Sequence, residues 1–293
     1  MALSAAGKRD EAAAALDDLV EAHPSYLPAR HLALECALAA EDDERARALA
    51  DALLAESPGN LFATLARIST ALHDWGDEPL PPERVAAMLR DLDALSGRIE
   101  EAPPKLARLG KYLSGRVSLA AGRLDRAIRA LGAIAKQVPT AQNVAWHALA
   151  VRRSSGPAAA LEVLDAHASL ASPEIHDLRT RCLIDLHKVK QARAEFDALA
   201  ASGALPEVTA ELRWLLAVRE GDREAAVDSL PPTLADRHVW FALEMYELLR
   251  TAGERDAIAA LTSRMKGDLA PCAAAIDAWH GGRLRPALQA LDL

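Results

Sequence analysis

Apolar positions along the chain recur at helical rather than strand spacing. An alanine opens each stripe, and an apolar or small residue follows four positions later: Ala12 and Leu16, Ala46 and Ala50, Ala127 and Leu131. Looser copies are Ala160 with Leu164, Ala192 with Phe196, Ala226 with Leu230, Ala257 with Leu261 and Ala287 with Leu291. Leu19, Leu53, Ile134 and Leu199 continue the stripe at the seventh position. Residues spaced this way share one face of a helix. Ahead of each stripe stands a turn residue and a short polar run, as in Gly7 to Ala12, Glu41 to Ala46, Gly122 to Ala127, Gly221 to Ala226 and Gly282 to Ala287. Twelve residues beyond three of the alanines stands a proline: Pro24, Pro58 and Pro139. Proline lacks a backbone donor and disfavours helix in the residue before it, so it closes the second helix. The predicted unit is a helix, a tight turn, a second helix and a proline-marked link.

The unit repeats. Ala12 to Ala46 is 34 residues, Ala127 to Ala160 is 33, Ala160 to Ala192 is 32 and Ala192 to Ala226 is 34, with final steps of 31 and 30. One hairpin cannot bury its own stripe, whereas stacked neighbours can, so a period in this range signals a quasi-one-dimensional array. On the turn-alanine element, the apolar residue four further on, the closing proline and Gly115 twelve before Ala127, the chain resembles the tetratricopeptide repeat family. Most copies lack the tryptophan and tyrosine of that family's first helix. The resemblance implies an all-α fold: a right-handed α-solenoid of about eight antiparallel helical hairpins. It implies one superhelical array over residues 1–293.

One stretch breaks the period. Ala46 and Ala127 lie 81 residues apart, more than two repeats need. The excess falls on a proline-rich insertion near 73–104, formed by Asp74 to Pro82 and Glu100 to Pro104. Between them Val85, Met88, Leu89, Leu92 and Leu95 predict an amphipathic helix over Glu83 to Ser96. Such an insertion can carry recognition, with Trp75 its candidate residue, or be a longer irregular link. The segment Met1 to Gly7 reads as the last turn of a first helix and Ala287 to Leu293 as a shortened second one. Neither end shows the polar cap that closes most solenoids.

Composition refines this picture. Apolar residues make up 51% of the chain and aromatic ones 4%, so the core is built from small and aliphatic side chains with high helix propensity. Of 34 basic residues seven are lysine and 27 arginine, a bias that together with the alanine content suggests a GC-rich bacterial genome. The formal charge of −8 speaks against nucleic-acid binding, which relies on a concentrated basic surface. No apolar run is long enough for a transmembrane helix and no secretory leader is evident, so no membrane association is expected and a cytoplasmic location is the default. Cys36, Cys182 and Cys272 form no C-x-x-C pair.

Catalytic signals are missing. The nine histidines make no H-E-x-x-H element and no convergent pair on one helix, so no metal is expected. No nucleophile elbow, phosphate loop or dinucleotide fingerprint occurs, so neither enzymatic activity nor a cofactor is expected. Trp146, Trp214 and Trp279 precede repeat turns and read as packing between first helices. In the tetratricopeptide family the first helices line a concave, peptide-binding face. Carried over by register, that face holds Tyr112 and Arg116, with Arg152, Arg153, Arg181 and also Arg219 on or near it. An arginine-lined groove suits carboxylates or an acidic peptide; scattered solvated arginines are the competing reading. The functional expectation is a non-catalytic scaffold that binds a protein or peptide. An accessory segment of a larger enzyme or regulator, or a ligand-sensing solenoid with a pocket under the Trp75 loop, are the alternatives.

Overall fold

The computed structural model describes residues 9–73, 80–204, 206–232, 234, 239–265 and 270–280; for 9–13, 207, 239–240, 270, 273, 277 and 279–280 it describes the backbone alone. All seventeen elements are α-helices, and no strand occurs among the described residues. The chain divides at Ser154 and Ser155 into two compact units, each a stack of helical hairpins.

The first unit opens with α1 (Arg9–Ala22). Two hairpins follow: α2 (Leu27–Ala39) with α3 (Asp43–Glu56), then α4 (Leu61–His73) with α5 (Pro82–Ala94). A one-and-a-half-turn helix, α6 (Ser96–Glu101), leads into the third hairpin, α7 (Pro104–Ala120) with α8 (Leu124–Gln137). α9 (Ala141–Ser155) ends the unit. The alanine stripes sit where the sequence places them: Ala46, Ala50 and Leu53 of α3, and Ala127, Leu131 and Ile134 of α8, are all buried. α1, α3 and α8 end two residues before Pro24, Pro58 and Pro139. The intervening Ser57 and Val138 are extended, with φ near −136° and −137°, as the proline ring requires.

The α7–α8 hairpin carries the family features most fully. Gly115 lies so close to α8 that a Cβ there would stand 2.7 Å from Leu131 Cγ, and Leu131 is itself buried. At Gly115 no side chain but hydrogen fits. The turn needs a left-handed residue five before the stripe alanine, and Gly122 (φ 70°) supplies it. Glu41 (φ 58°) and His187 (φ 55°) adopt the same conformation without glycine's freedom.

The long step between Ala46 and Ala127 spans two repeats, the α4–α5 and α7–α8 hairpins, with α6 inserted between them. Val85, Met88, Leu89 and Leu92 of α5 pack with Leu61, Leu65, Ile68 and Leu72 of α4 and with Leu113 and Val117 of α7. Ile99 of α6 joins the same cluster and fills the space left by Gly110. Residues 82–101 are thus part of the unit's core, and residues 74–79, with Trp75, lie outside the described residues.

The second unit opens with α10 (Pro157–Asp165). Its hairpins are α11 (Pro173–Asp185) with α12 (Val189–Ala201), α13 (Pro206–Glu220) with α14 (Arg223–Asp228), and α15 (Val239–Ala252) with α16 (Arg255–Arg264); α17 (Ala270–His280) follows. Ala192, Phe196 and Leu199 bury the α12 stripe. α14 is only six residues long, since Pro231 and Pro232 prevent its continuation. The link after it is tied to the end of α16, where Leu234 N–H donates to the Arg264 carbonyl at 2.9 Å and Arg264 Nη1 donates to the Pro231 carbonyl at 3.1 Å. In the α15–α16 hairpin the stripe falls on Ile258 and Leu261 rather than on Ala257, which is half-buried. Gly253 (φ 75°) fixes this register, standing five before Ile258 as Gly122 does before Ala127. Trp214 of α13 is fully buried against Phe241 and Met245 of α15, with Nε1–H donating to Met245 Sδ at 3.2 Å.

Candidate interaction face

The first helix of each hairpin aligns two positions one turn apart on one side, fifteen and eleven residues ahead of the stripe alanine. In α7 these are Tyr112 and Arg116; in α11 they are Asp177 and Arg181. One turn of helix brings each pair into contact.

In the first unit, Arg116 is 7% exposed. Its Nη1 donates to the Tyr112 hydroxyl at 2.9 Å, and its guanidinium lies 3.6 Å from the centroid of the Trp146 ring on α9 and 5.7 Å from that of Tyr112. Nε is buried without a hydrogen-bond partner, and no carboxylate lies within ion-pair distance among the described residues. A stacked, desolvated cation–π contact contributes about 2 kcal/mol. Leaving a buried charge without its counter-charge costs about 3–5 kcal/mol. The ring does not balance the ion. Arg152 and Arg153 occupy the last turn of α9. Burial, and then the positive charge of Arg152, lower the pKa of Arg153. That turn holds two positive charges side by side, at a helix C-terminus whose dipole favours cations.

In the second unit the arrangement is the reverse. Arg181 Nε donates to Asp177 Oδ1 at 2.9 Å, and Nη2 to Glu211 Oε2 of α13 at 3.0 Å. Burial opposes the charge, but Asp177 and Glu211 more than offset it, and the Arg181 pKa is raised. Arg219 pairs with Glu244 and lies 4.6 Å from the centroid of Phe241. These guanidinium groups are neutralised from within the unit.

Arg116 therefore differs from Arg181 and Arg219, each of which has a carboxylate partner in its own unit. Trp146 packs between first helices, as its position indicates, on the apolar cluster of Leu119, Ala127, Leu131 and Ala150 and also over the Arg116 cation. Its role is legible only once Arg116 is known to lie one repeat before it. Elsewhere in the first unit an open groove of about 610 Å³ lies between Val85 and Leu89 of α5 and Ala120 at the end of α7, rimmed by Arg90 and Arg123. Among the described residues no cluster of three metal-ligating side chains occurs, and no helix is long and apolar enough to cross a membrane.

Comparison with solved structures places the fold among tetratricopeptide repeat solenoids. A tetratricopeptide repeat protein from Parabacteroides merdae superposes on 73% of this chain and 80% of its own, with a TM-score of 0.51 and 17% identity. The apo quorum sensor NprR from B. thuringiensis matches 89% of this chain and 80% of its own at a TM-score of 0.59 and 14% identity. The anaphase-promoting complex hetero-tetramer Cut9-Hcn1 also gives 0.59 and 14%, over 85% of this chain, which spans about half (49%) of that one. No family model and no curated protein sequence matches the chain. The protein is an all-α solenoid of tetratricopeptide-like hairpins.

Proposed function

We propose that this chain is a non-catalytic interaction scaffold that holds an acidic protein or peptide segment on the first-helix face of its first unit. Tyr112, Arg116, Arg152 and Arg153 form the contact. One observation carries this reading: Arg116 is buried on that face without a carboxylate of its own among the described residues. Arg181 is held by Asp177 and Glu211 and Arg219 by Glu244, so their contribution would be to shape the second unit rather than to contact the ligand. The similar solved structures include a quorum sensor and a subunit of a hetero-tetramer, which agrees with a recognition role. Three free thiols without a disulfide fit a reducing compartment such as the cytoplasm.

The test is affinity capture with the wild type beside an Arg152→Glu, Arg153→Glu variant of equal thermal stability. Loss of a specific partner from the variant supports the reading, and equal recovery of every partner removes it. A ligand-sensing role has the α5–α7 groove in its favour. That groove is rimmed by exposed charges, so it suits an amphipathic compound better than a fully buried one.

A further inference from the structure

We infer that the groove between α5 and the α7–α8 turn binds a single-chain amphipathic anion, with an aliphatic tail on its apolar floor and an anionic head between Arg90 and Arg123. The inference rests on the ligand-sensing reading and gives it a ligand class. It shares no residue with the first-helix face proposed to hold the partner.

The groove opens where the repeat is interrupted. At the ends of first helices in the second unit, seven and six residues before the stripe alanine, stand Asp185 and Leu186 or Arg219 and Glu220. At the matching places α7 ends in Ala120 and Ala121, whose methyl groups leave space in front of α5. Val85 and Leu89 stand one turn apart on α5 and form the floor. Both belong to the core cluster of the unit and are only 5% and 4% exposed, so packing from behind holds the floor in place. Leu80 and Pro82 extend the apolar lining to the start of α5. The opening, about 610 Å³, falls in the range of small-molecule sites.

The rim supplies the charge. Arg90 follows Leu89 on α5, and Arg123 lies in the α7–α8 turn. Both are exposed, and neither has a carboxylate within ion-pair distance among the described residues. Asp93, the acid that lines the groove, is held by Arg126 Nη2 at 2.6 Å, and Arg126 also donates to the Ser114 hydroxyl at 3.0 Å. The groove thus presents two uncommitted guanidinium groups and a neutralised acid beside an aliphatic surface. Their donors face solvent, so an anionic head reaches them without any movement of α5 or α7. A cationic amphiphile meets two like charges there, and a neutral one leaves both unused. The chain's formal charge of −8 sets it against an anionic bilayer, which favours a free amphiphile over the lipids of a membrane.

The full chain is titrated with butanoate, hexanoate and octanoate, and with 1-octanol and octyltrimethylammonium as neutral and cationic counterparts. Affinity is expected to rise about threefold per methylene, a little under the value of about fourfold for complete burial. Octanoate should bind about fivefold more tightly than 1-octanol, and octyltrimethylammonium most weakly. Methyl resonances of Val85 and Leu89 are expected to move with octanoate, while those of Leu199 in the second unit stay in place. The Arg90→Gln, Arg123→Gln variant should lose the preference for the anion and keep its affinity for 1-octanol. Ala86→Trp, at an exposed position of the lining, should fill the groove and abolish both; should it fold poorly, Ala121→Trp closes the groove from the opposite wall. Phosphatidylglycerol vesicles should leave the protein in the supernatant. Unmoved Val85 and Leu89 resonances, octanoate binding that survives a folded tryptophan variant, or an unchanged preference in the glutamine variant overturns the proposal. Co-sedimentation with the vesicles that the glutamine variant loses would assign the two arginines to a bilayer and overturn it too. Equal binding of octanoate and 1-octanol removes the anion and leaves the ligand-sensing reading standing; binding of neither removes both. The partner-binding face is judged separately, by capture with the Arg152→Glu, Arg153→Glu variant.

Discussion

Arg116 of α7 and Arg181 of α11 occupy one register of the repeat, and their surroundings differ at Tyr112 against Asp177, Ala145 against Glu211 and Trp146 against Leu212. Around Arg181 the chain supplies Asp177 and Glu211 and makes a closed structural ion pair. Around Arg116 it supplies Tyr112 and Ala145, and the charge stays uncompensated against Trp146. A repeat scaffold holds backbone and burial nearly constant from copy to copy. The residue one turn back and the residue on the next first helix then decide whether a buried arginine braces the stack or stays uncompensated. In the second unit Arg219 follows the bracing pattern with Glu244.

The largest effect should come from turning the second unit into a copy of the first. Asp177→Ala with Glu211→Ala strips Arg181 of both acids, and denaturant unfolding is expected to show a loss of about 3 kcal/mol. A loss well under 1 kcal/mol would mean that the acids do not brace Arg181. Gly115→Ala probes the close helix contact of the first unit, where Thr180 stands at the matching place in the second. Its Cβ meets buried Leu131, and a loss of about 2 kcal/mol is expected by the same measurement. Ala145→Glu moves the first unit towards the second and should raise stability by about 1 kcal/mol, as the buried Arg116 gains an acid. The smallest change concerns the turns. His187 holds the left-handed conformation that Gly122 holds in the first unit, so His187→Gly should stabilise by about 0.5 kcal/mol, read as a small rise in melting temperature.

Much of the architecture was legible because packing imposes it. Ala46, Ala127, Ala160, Ala192 and Ala226 had to be small where two helices cross, and each is buried. The amphipathic pattern of Val85, Met88, Leu89 and Leu92 named α5 for the same reason. α6 was not foreseen, since six residues beginning Ser-Gly-Arg carry too little periodicity to read. The last stripe was placed on Ala257 because alanine was the only guide; Gly253, five residues before Ile258, was the better one. On the interaction face, helical register alone brought Tyr112 and Arg116 together, and they are hydrogen-bonded. Register could not separate Arg116 from Arg181. Asp177, four residues before Arg181, was visible in the sequence, but Glu211 and Trp146 act from a neighbouring repeat and gain meaning only when first helices are aligned with one another.

The most direct measurement is the titration of oligoglutamate into the wild type and into the Arg152→Glu, Arg153→Glu variant over a range of salt concentration. The account predicts binding by the wild type that weakens as salt rises and about tenfold weaker binding, or none, by the variant. Superimposable isotherms for the two proteins would contradict it.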